Sequence, residues 1–235
     1  MADHKIVRTL RCKNLNVPGT LGELTSTIGR FGAEVGNIST VYLGHHYSIR
    51  DMDVLADSLE HLDRLISEIS LLDSVTVLQV IDEVLDMHRN GKIRMMNTSP
   101  IRTVADLRRV YTPGVAEVCN LIREQPIWKD AYTMIPYTVA IVTDGTRILG
   151  LGDIGPVAGM PVMEGKAALL QALAGVSGVP ILLDTSDDDE IVDTIKHISP
   201  TFGGVHLEDI ASPRCFYILD RLEHELDIPV IHDDQ

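Results

Sequence analysis

Two different patterns of apolar and polar residues follow one another along the chain, and the first occupies residues 1–82. Short segments of strand character alternate here with amphipathic stretches, one beginning near Thr20, the expected cap, and one that Ser58 is expected to cap. The predicted strands are the segments 5–12, 35–43, 47–55 and 75–81. The order βαββαβ predicts a ferredoxin-like sandwich, in which helices cover one face of an antiparallel sheet.

The second pattern starts at residue 101, where buried strands alternate with helices. The predicted strands are the segments 139–142, 148–151, 179–183, 204–209 and 228–231. Helices are predicted to begin near Thr103, Val115, Val162, Asp187 and Ser212. This alternation predicts a three-layer α/β domain with a mostly parallel sheet. Between the two patterns, residues 83–100 are predicted to be a linker, so the expected domains are 1–82 and 101–235.

Composition and charge exclude several classes of function. The chain is 45% hydrophobic and 23% charged, which is ordinary for a soluble globular protein. Its net charge of -14 argues against a nucleic-acid partner. We expect no membrane association, because there is neither a secretory signal nor an apolar run of 18 residues. Cys12, Cys119 and Cys215 lie too far apart in sequence for a metal-type pair or a disulfide framework, which predicts a cytoplasmic protein.

Acidic residues stand at or just after the ends of three predicted strands. They are Asp144, the pair Glu208 and Asp209, and the pair Asp233 and Asp234. Because ligands gather beyond the carboxyl ends of parallel strands, these acids are expected to share one edge of the sheet. Converging carboxylates repel one another unless a cation or a lysine joins them, and oxygen ligands suit Mg²⁺ or Mn²⁺. The alternative is that each acid only forms a turn or caps a helix.

A glycine-rich loop lies between the predicted strand 148–151 and the helix expected near Val162. Gly150, Gly152 and Gly155 match the spacing of a dinucleotide-binding fingerprint. That fingerprint should open directly into a helix, whereas prolines and a further glycine follow Gly155 here. The three glycines are candidates for cofactor binding on this pattern alone.

Five blocks of sequence, in order, resemble the signature blocks of the malic enzyme family. They are RVYTPGVAEVC at 109–119, VTDGTRILGLGDIG at 142–155, GMPVMEGK at 159–166, HLEDIASPRCF at 206–216 and IHDDQ at 231–235. The resemblance covers residues 98–235 and is to the N-terminal, malate- and metal-binding domain of the family. It implies oxidative decarboxylation of L-malate to pyruvate and CO₂, with NAD or NADP and with Mg²⁺ or Mn²⁺.

The resemblance also implies roles for particular residues. It makes Lys166 the general base, with a pKa lowered by burial, and Tyr111 the general acid that protonates C3. Asp233 pairs with the lysine, and Arg147 binds a substrate carboxylate, although other members of the family lack an arginine there. The implied metal ligands are Glu208, Asp209 and Asp234.

Residues 1–82 resemble an ACT domain, a regulatory module that often binds amino acids. The resemblance rests on the order of elements and on VPGTLG at 17–22, in the first turn from strand to helix. It implies an amino-acid or organic-acid effector and the pairing of two copies in a homodimer. The alternative is that Pro18 and Gly19 only form a tight turn.

The malic enzyme family continues beyond this last block into a nucleotide-binding domain. We therefore expect the chain to be part of a longer enzyme and to be inactive alone. A rival hypothesis is an amino-acid-sensing module fused to a catalytically inactive malic-enzyme-like domain. The presence of all five of the expected acid, base and metal-ligand residues favours the enzyme.

Overall fold

The protein forms two compact units, which adjoin in sequence at Arg89 and Asn90. A computed structural model describes residues 5–233. The division falls inside the segment predicted to be a linker. Within this described part, no helix is long and apolar enough to cross a membrane.

The first unit has the predicted order of elements. They are β1 Ile6–Leu15, α1 Thr20–Arg30, β2 Glu34–Leu43, β3 Tyr47–Ala56, α2 Leu59–Ile69, β4 Val75–Ile81 and α3 Glu83–His88. The strands form an antiparallel sheet in the order β2-β3-β1-β4. Its core lies between the sheet and the helices α1 and α2, and it includes Leu10, Leu24, Met52 and Leu65, all fully buried.

A side chain caps helix α2, whereas no side chain caps helix α1. Ser58 caps α2 as predicted, because its hydroxyl accepts a hydrogen bond from the backbone of His61 at 3.1 Å. The prediction for α1 is wrong, since Thr20 is already helical and Gly19 is the cap residue. Gly19 has a φ of 95°, which glycine adopts without the steric cost that other residues meet.

The second unit is an α/β unit with a wholly parallel sheet. Its elements are α4 Val104–Val110, α5 Val115–Glu124, α6 Lys129–Tyr132, β5 Thr138–Thr143, α7 Pro156–Ala174, β6 Ser177–Leu182, α8 Asp188–Ile198, β7 Gly204–Leu207, α9 Arg214–Glu225 and β8 Val230–His232, with short 3₁₀ turns at Pro126–Trp128, Ile135–Tyr137 and Ser199–Thr201. The strand order is β6-β5-β7-β8. Helix α7 covers one face, against Ile141, and α8 and α9 cover the other, against Ala140 and Val142. Successive residues of β5 thus serve opposite faces, as a central strand requires.

The loop between β5 and α7 departs from the prediction at both ends. The predicted strand 148–151 is a turn, held by a single bridge between Ile148 and Gly152. Helix α7 begins at Pro156 instead of Val162. Proline at the first helical position has no hydrogen bond to lose and has its φ already set, so a sequence that reads as a loop starts the helix.

Helix α9 also starts differently from the prediction. It begins at Arg214, after Pro213, and no side chain caps it, whereas the predicted start was near Ser212. The segment predicted to be a linker begins with a short helix, α3, which ends at His88. Next along the chain, the backbone of Lys92 donates a hydrogen bond to Glu164 of α7 at 3.0 Å. This part of the predicted linker therefore packs on the second unit.

Candidate functional site

Three neighbouring strands end at the same level of the parallel sheet. Val142 of β5 lies opposite Leu207 of β7, which in turn lies opposite His232 of β8. The backbone of Glu208 donates to the carbonyl of Val142 at 2.9 Å, and that of Asp233 donates to the carbonyl of Leu207 at 3.2 Å. The sheet hydrogen bonds thus continue one residue beyond the strands and fix where both acids leave the sheet.

Four side chains meet beyond these strand ends, and we call them the strand-end cluster: Lys166, His206, Glu208 and Asp233. The ammonium of Lys166, on α7, donates a short hydrogen bond to Oδ1 of Asp233 and lies 3.4 Å from Oε2 of Glu208. Nε2 of His206 lies 2.7 Å from the same oxygen of Glu208 and 3.6 Å from Oδ1 of Asp233. The predicted base, Lys166, and its predicted partner, Asp233, are therefore brought together.

The electrostatics of the cluster correct one expectation. The hydrogen bond from Lys166 lowers the pKa of Asp233, against the opposing effect of partial burial. Burial alone would lower the pKa of Lys166, but the hydrogen bond to Asp233 and the charge of Glu208 outweigh it and raise this pKa above its ordinary value. The predicted lowering of the lysine pKa is therefore wrong for this arrangement of side chains.

The donor atoms of the cluster fit a divalent cation. One nitrogen of His206 and one carboxylate oxygen each of Glu208 and Asp233 lie within 4.8 Å of one another. Among the predicted ligands, Glu208 belongs to this set. Asp209 follows it with a φ of 54°, a left-handed conformation that aspartate tolerates better than most residues, and Asp234 lies outside the described residues. Carboxylate oxygens suit Mg²⁺ and Mn²⁺, and imidazole is a ligand of first-row transition ions, so this donor set fits a divalent cation.

His206 was given no role from the sequence. It stands two residues before Glu208 on β7, and side chains two apart in a strand point to the same face. That spacing was the available signal. It shows that the two side chains share a face, but it does not show that Asp233 and Lys166 meet them there.

Asp144, the third strand-end acid, follows β5 at the expected edge of the sheet but does not join the cluster. Its fully buried side chain accepts a hydrogen bond from Arg214 at 2.9 Å and two from Thr146, through the backbone and the hydroxyl. Arg214 also donates to Asp188 and to the carbonyl of Ser186, each at 2.7 Å. The arginine already compensates the charge of Asp144 and joins the end of β5 to the starts of α8 and α9.

The turn that carries Arg147 is fastened to the loop after β7. The backbone of Arg147 donates to the carbonyl of Asp209 at 3.1 Å, and the hydroxyl of Thr146 accepts from the backbone of Ala211 at 2.9 Å. A side chain on Gly145 would meet the backbone of Gly155 at 2.2 Å, so this close packing requires glycine. The predicted substrate-binding and metal-binding segments thus share one backbone framework.

Tyr111, the predicted general acid, ends α4 at a break in the helical pattern, as expected. Its side chain is 67% exposed, and among the described residues no hydrogen bond joins it to Lys166. The structure therefore does not bring Tyr111 into the strand-end cluster.

The candidate cofactor glycines lie in the loop before α7. Space is open around Gly150, Gly152 and Gly155, and Gly155 directly precedes the helix. The helix start that the fingerprint needs is therefore present, contrary to the prediction. The strand that should precede the glycines is replaced by the turn at 148–151.

By fold, the second unit is an open parallel α/β structure of the class that binds ligands beyond the carboxyl ends of its strands. A sequence profile of the N-terminal domain of malic enzymes matches residues 90–223, which is more than half of the chain. The chain belongs to the malic enzyme family.

Known proteins similar to the chain include two curated relatives and a solved structure. NAD-dependent malic enzyme 1 of Bacillus subtilis is 54% identical over 98% of this chain and 53% of its own length. NAD-dependent malic enzyme of Geobacillus stearothermophilus is 46% identical over 92% of this chain and 45% of its own length. The crystal structure of malic enzyme from Pyrococcus horikoshii is 50% identical, with a TM-score of 0.63, over 65% of this chain and 36% of that one. The chain thus spans about half the length of the curated relatives.

Proposed function

We propose that the chain contributes the substrate- and metal-binding part of a malic enzyme, which converts L-malate to pyruvate and CO₂ with NAD or NADP. The observation that carries this proposal is the strand-end cluster, where Lys166 lies against Glu208 and Asp233 in a chain of this family. The rival hypothesis of an inactive domain is less favoured, because the lysine, both of its acidic neighbours and the following Asp209 are all present. The wide spacing of the three cysteines in the sequence supports the further proposal of a cytoplasmic protein.

In this proposal each residue has a defined task. Lys166 takes the proton from the C2 hydroxyl of malate, and Asp233 orients the lysine through their hydrogen bond. Arg147 binds a carboxylate of the substrate, and Tyr111 delivers the proton to C3. Because Tyr111 is exposed, its delivery requires that α4 and its C-terminal break approach the cluster when substrate binds.

The metal and the nucleotide supply the remaining chemistry. Glu208, Asp209 and Asp234 would hold Mg²⁺ or Mn²⁺, which when bound withdraws electrons from the oxygen on C2. A bound nicotinamide cofactor would supply the acceptor for the hydride from C2. The raised pKa of Lys166 favours its protonated form, and the lysine can act as a base only after it has lost this proton.

The test of the proposal is malate oxidation by a complete malic enzyme that carries this chain. Lys166→Ala should lower kcat by about 10²–10⁴-fold, the usual contribution of a positioned base. Lys196→Ala is the matched control, since Lys196 also pairs with a glutamate, Glu225, at 2.5 Å, but on α8 and α9. Near-full activity of Lys166→Ala would exclude Lys166 as the base.

For the first unit we propose an ACT-like regulatory role, with pairing of two copies. The strand order β2-β3-β1-β4 supports it, as does the left-handed Gly19, around which space is open at the start of α1. Calorimetry of the chain against amino and organic acids should detect a ligand that Gly19→Val weakens. Gly22→Ala is the control, because that glycine is helical and also has open space around it. Equal binding by Gly19→Val and wild type would place the effector elsewhere.

A further inference from the structure

Two buried polar atoms in the second unit approach each other without forming a hydrogen bond. Nε2 of His206 lies 2.7 Å from Oε2 of Glu208, and the two side chains are only 6% and 5% exposed. Within residues 5–233, neither atom has a partner with the alignment of a hydrogen bond. Buried polar groups left in this condition are uncommon in folded proteins, and an ion or a water usually satisfies them.

The spacing of these atoms is that of neighbouring ligands on one metal ion. Adjacent ligands at about 2.1 Å from an octahedral ion lie about 3 Å apart. The pair His206 and Glu208 has this spacing, and an oxygen of Asp233 lies within 4.8 Å of both atoms. We propose that His206 is a ligand of the divalent cation at the strand-end cluster and sets its metal preference. This rests on the proposed function, which supplies the carboxylate ligands but gives no role to a histidine.

Lys166 does not remove the need for such an ion. Its ammonium lies 3.4 Å from Oε2 of Glu208 and so compensates part of the negative charge. It does not satisfy the imidazole, because Nε2 of His206 has no hydrogen-bond partner among the residues the structure describes. A cation bound by both Nε2 of His206 and Oε2 of Glu208 would satisfy the two atoms together.

A histidine ligand changes which metal the site takes. Mg²⁺ prefers oxygen donors, whereas first-row transition ions also accept imidazole nitrogen, with an affinity that rises from Mn²⁺ to Co²⁺. We therefore expect this chain to bind Mn²⁺ and Co²⁺ more tightly than Mg²⁺. The preference should depend on His206, while the carboxylates provide the binding that all of these ions share.

The direct test is electron spin-echo spectroscopy of Mn²⁺ added to the chain, labelled with ¹⁵N at histidine only. We expect a ¹⁵N coupling typical of a bound imidazole, lost in His206→Asn and kept in His224→Asn. His224 is the control because it is a helix-surface histidine whose side chain is 75% exposed. Mn²⁺ bound by wild type without any ¹⁵N coupling would overturn the proposal and leave the carboxylate site intact. Failure to bind Mn²⁺ at all would overturn both.

Calorimetry supplies the second arm, with Mn²⁺ and Mg²⁺ titrated separately. His206→Asn should weaken Mn²⁺ binding about 10–100-fold and Mg²⁺ binding clearly less, so the preference for Mn²⁺ collapses. Equal losses for the two ions would show that His206 only supports the fold of the site, and would overturn its role as a ligand. Glu208→Gln should weaken both ions together, which separates failure of this inference from failure of the metal site itself.

Discussion

Charged side chains are arranged differently in the two units of the molecule. On the antiparallel sheet of the first unit, Arg11 and Asp51 match one to one, through two hydrogen bonds of 2.7 Å each. At the strand ends of the second unit, Glu208 and Asp233 share one lysine, and Oε2 of Glu208 is left without a hydrogen-bond partner among the described residues. Charges that only stabilise a fold can be satisfied in pairs, whereas charges left incompletely satisfied are available to a ligand.

The largest effect on stability is expected when the buried carboxylate of Asp144 loses its ion-pair partner, Arg214. Arg214→Leu leaves the completely buried Asp144 without its cation, which should cost about 3 kcal/mol of unfolding free energy. Arg221→Leu is the matched control on the same helix. The two arginines are similarly exposed, 25% and 26%, but the partners of Arg221, Asp189 and Glu225, are 75% and 32% exposed, whereas the side chain of Asp144 is fully buried.

Urea unfolding followed by the fluorescence of Trp128, the single tryptophan, measures both variants. The control should change stability little, because exposed ion pairs contribute little. Equal losses for the two variants would show that burial of Asp144 does not determine the cost. That result would mean that leaving a buried charge without its partner costs no more than losing an exposed ion pair.

The next effect concerns Cys12, a buried titratable group of the first unit. Burial, with a smaller contribution from Asp51, raises the pKa of this thiol from 9.0 to about 11. The folded state therefore disfavours the thiolate. The free energy of unfolding should be unaffected by this thiol below pH 9 and should decline by roughly 2–3 kcal/mol as pH rises toward 11. The pH dependence of unfolding, followed by circular dichroism, should be smaller in Cys12→Ala by this amount. An unchanged pH dependence in Cys12→Ala would contradict the assignment.

The smallest effect is expected from the paired charges of the first unit. The hydrogen bond from Arg11 lowers the pKa of Asp51, so the contribution of this pair is present at neutral pH and is lost as pH falls below about 3.8. Asp51→Asn should shift the urea midpoint less than the other variants at pH 7, because the pair is partly exposed. A shift as large as that of Arg214→Leu would mean that paired surface charges stabilise this protein far more than we infer.

Sequence patterns predicted most of the framework on which these contrasts rest. The period-2 and helical patterns predicted the element order of the first unit and, apart from the segment 148–151 and the short helix α6, that of the second. The cap of α2 at Ser58 followed from its side-chain chemistry. The start of α7 was misplaced, because Pro156 and its neighbouring glycines are equally typical of a loop. The apolar segment 148–151 was read as a strand, although a local bridge makes it a turn.

The candidate site could be predicted only in part. That Glu208 and Asp233 both follow strands was visible from the sequence, and the register of β7 and β8 brings them together. The contact of Lys166 with Asp233 spans 67 residues, and the net direction of the lysine pKa depends on such distances, which no local pattern specifies. His206 was missed for the same reason, since its role follows from which side chains face it across the strand ends.

Calorimetric titration of the chain with Mn²⁺ tests most directly the claim that the strand-end cluster binds a divalent cation. We expect one Mn²⁺ to bind to wild type. Asp51→Asn is the control and should bind Mn²⁺ equally, because in wild type the carboxylate of Asp51 is already paired with Arg11. Glu208→Gln should lose at least about tenfold in affinity, because a buried carboxylate oxygen of the cluster is removed. Equal Mn²⁺ binding by wild type and Glu208→Gln would contradict the claim.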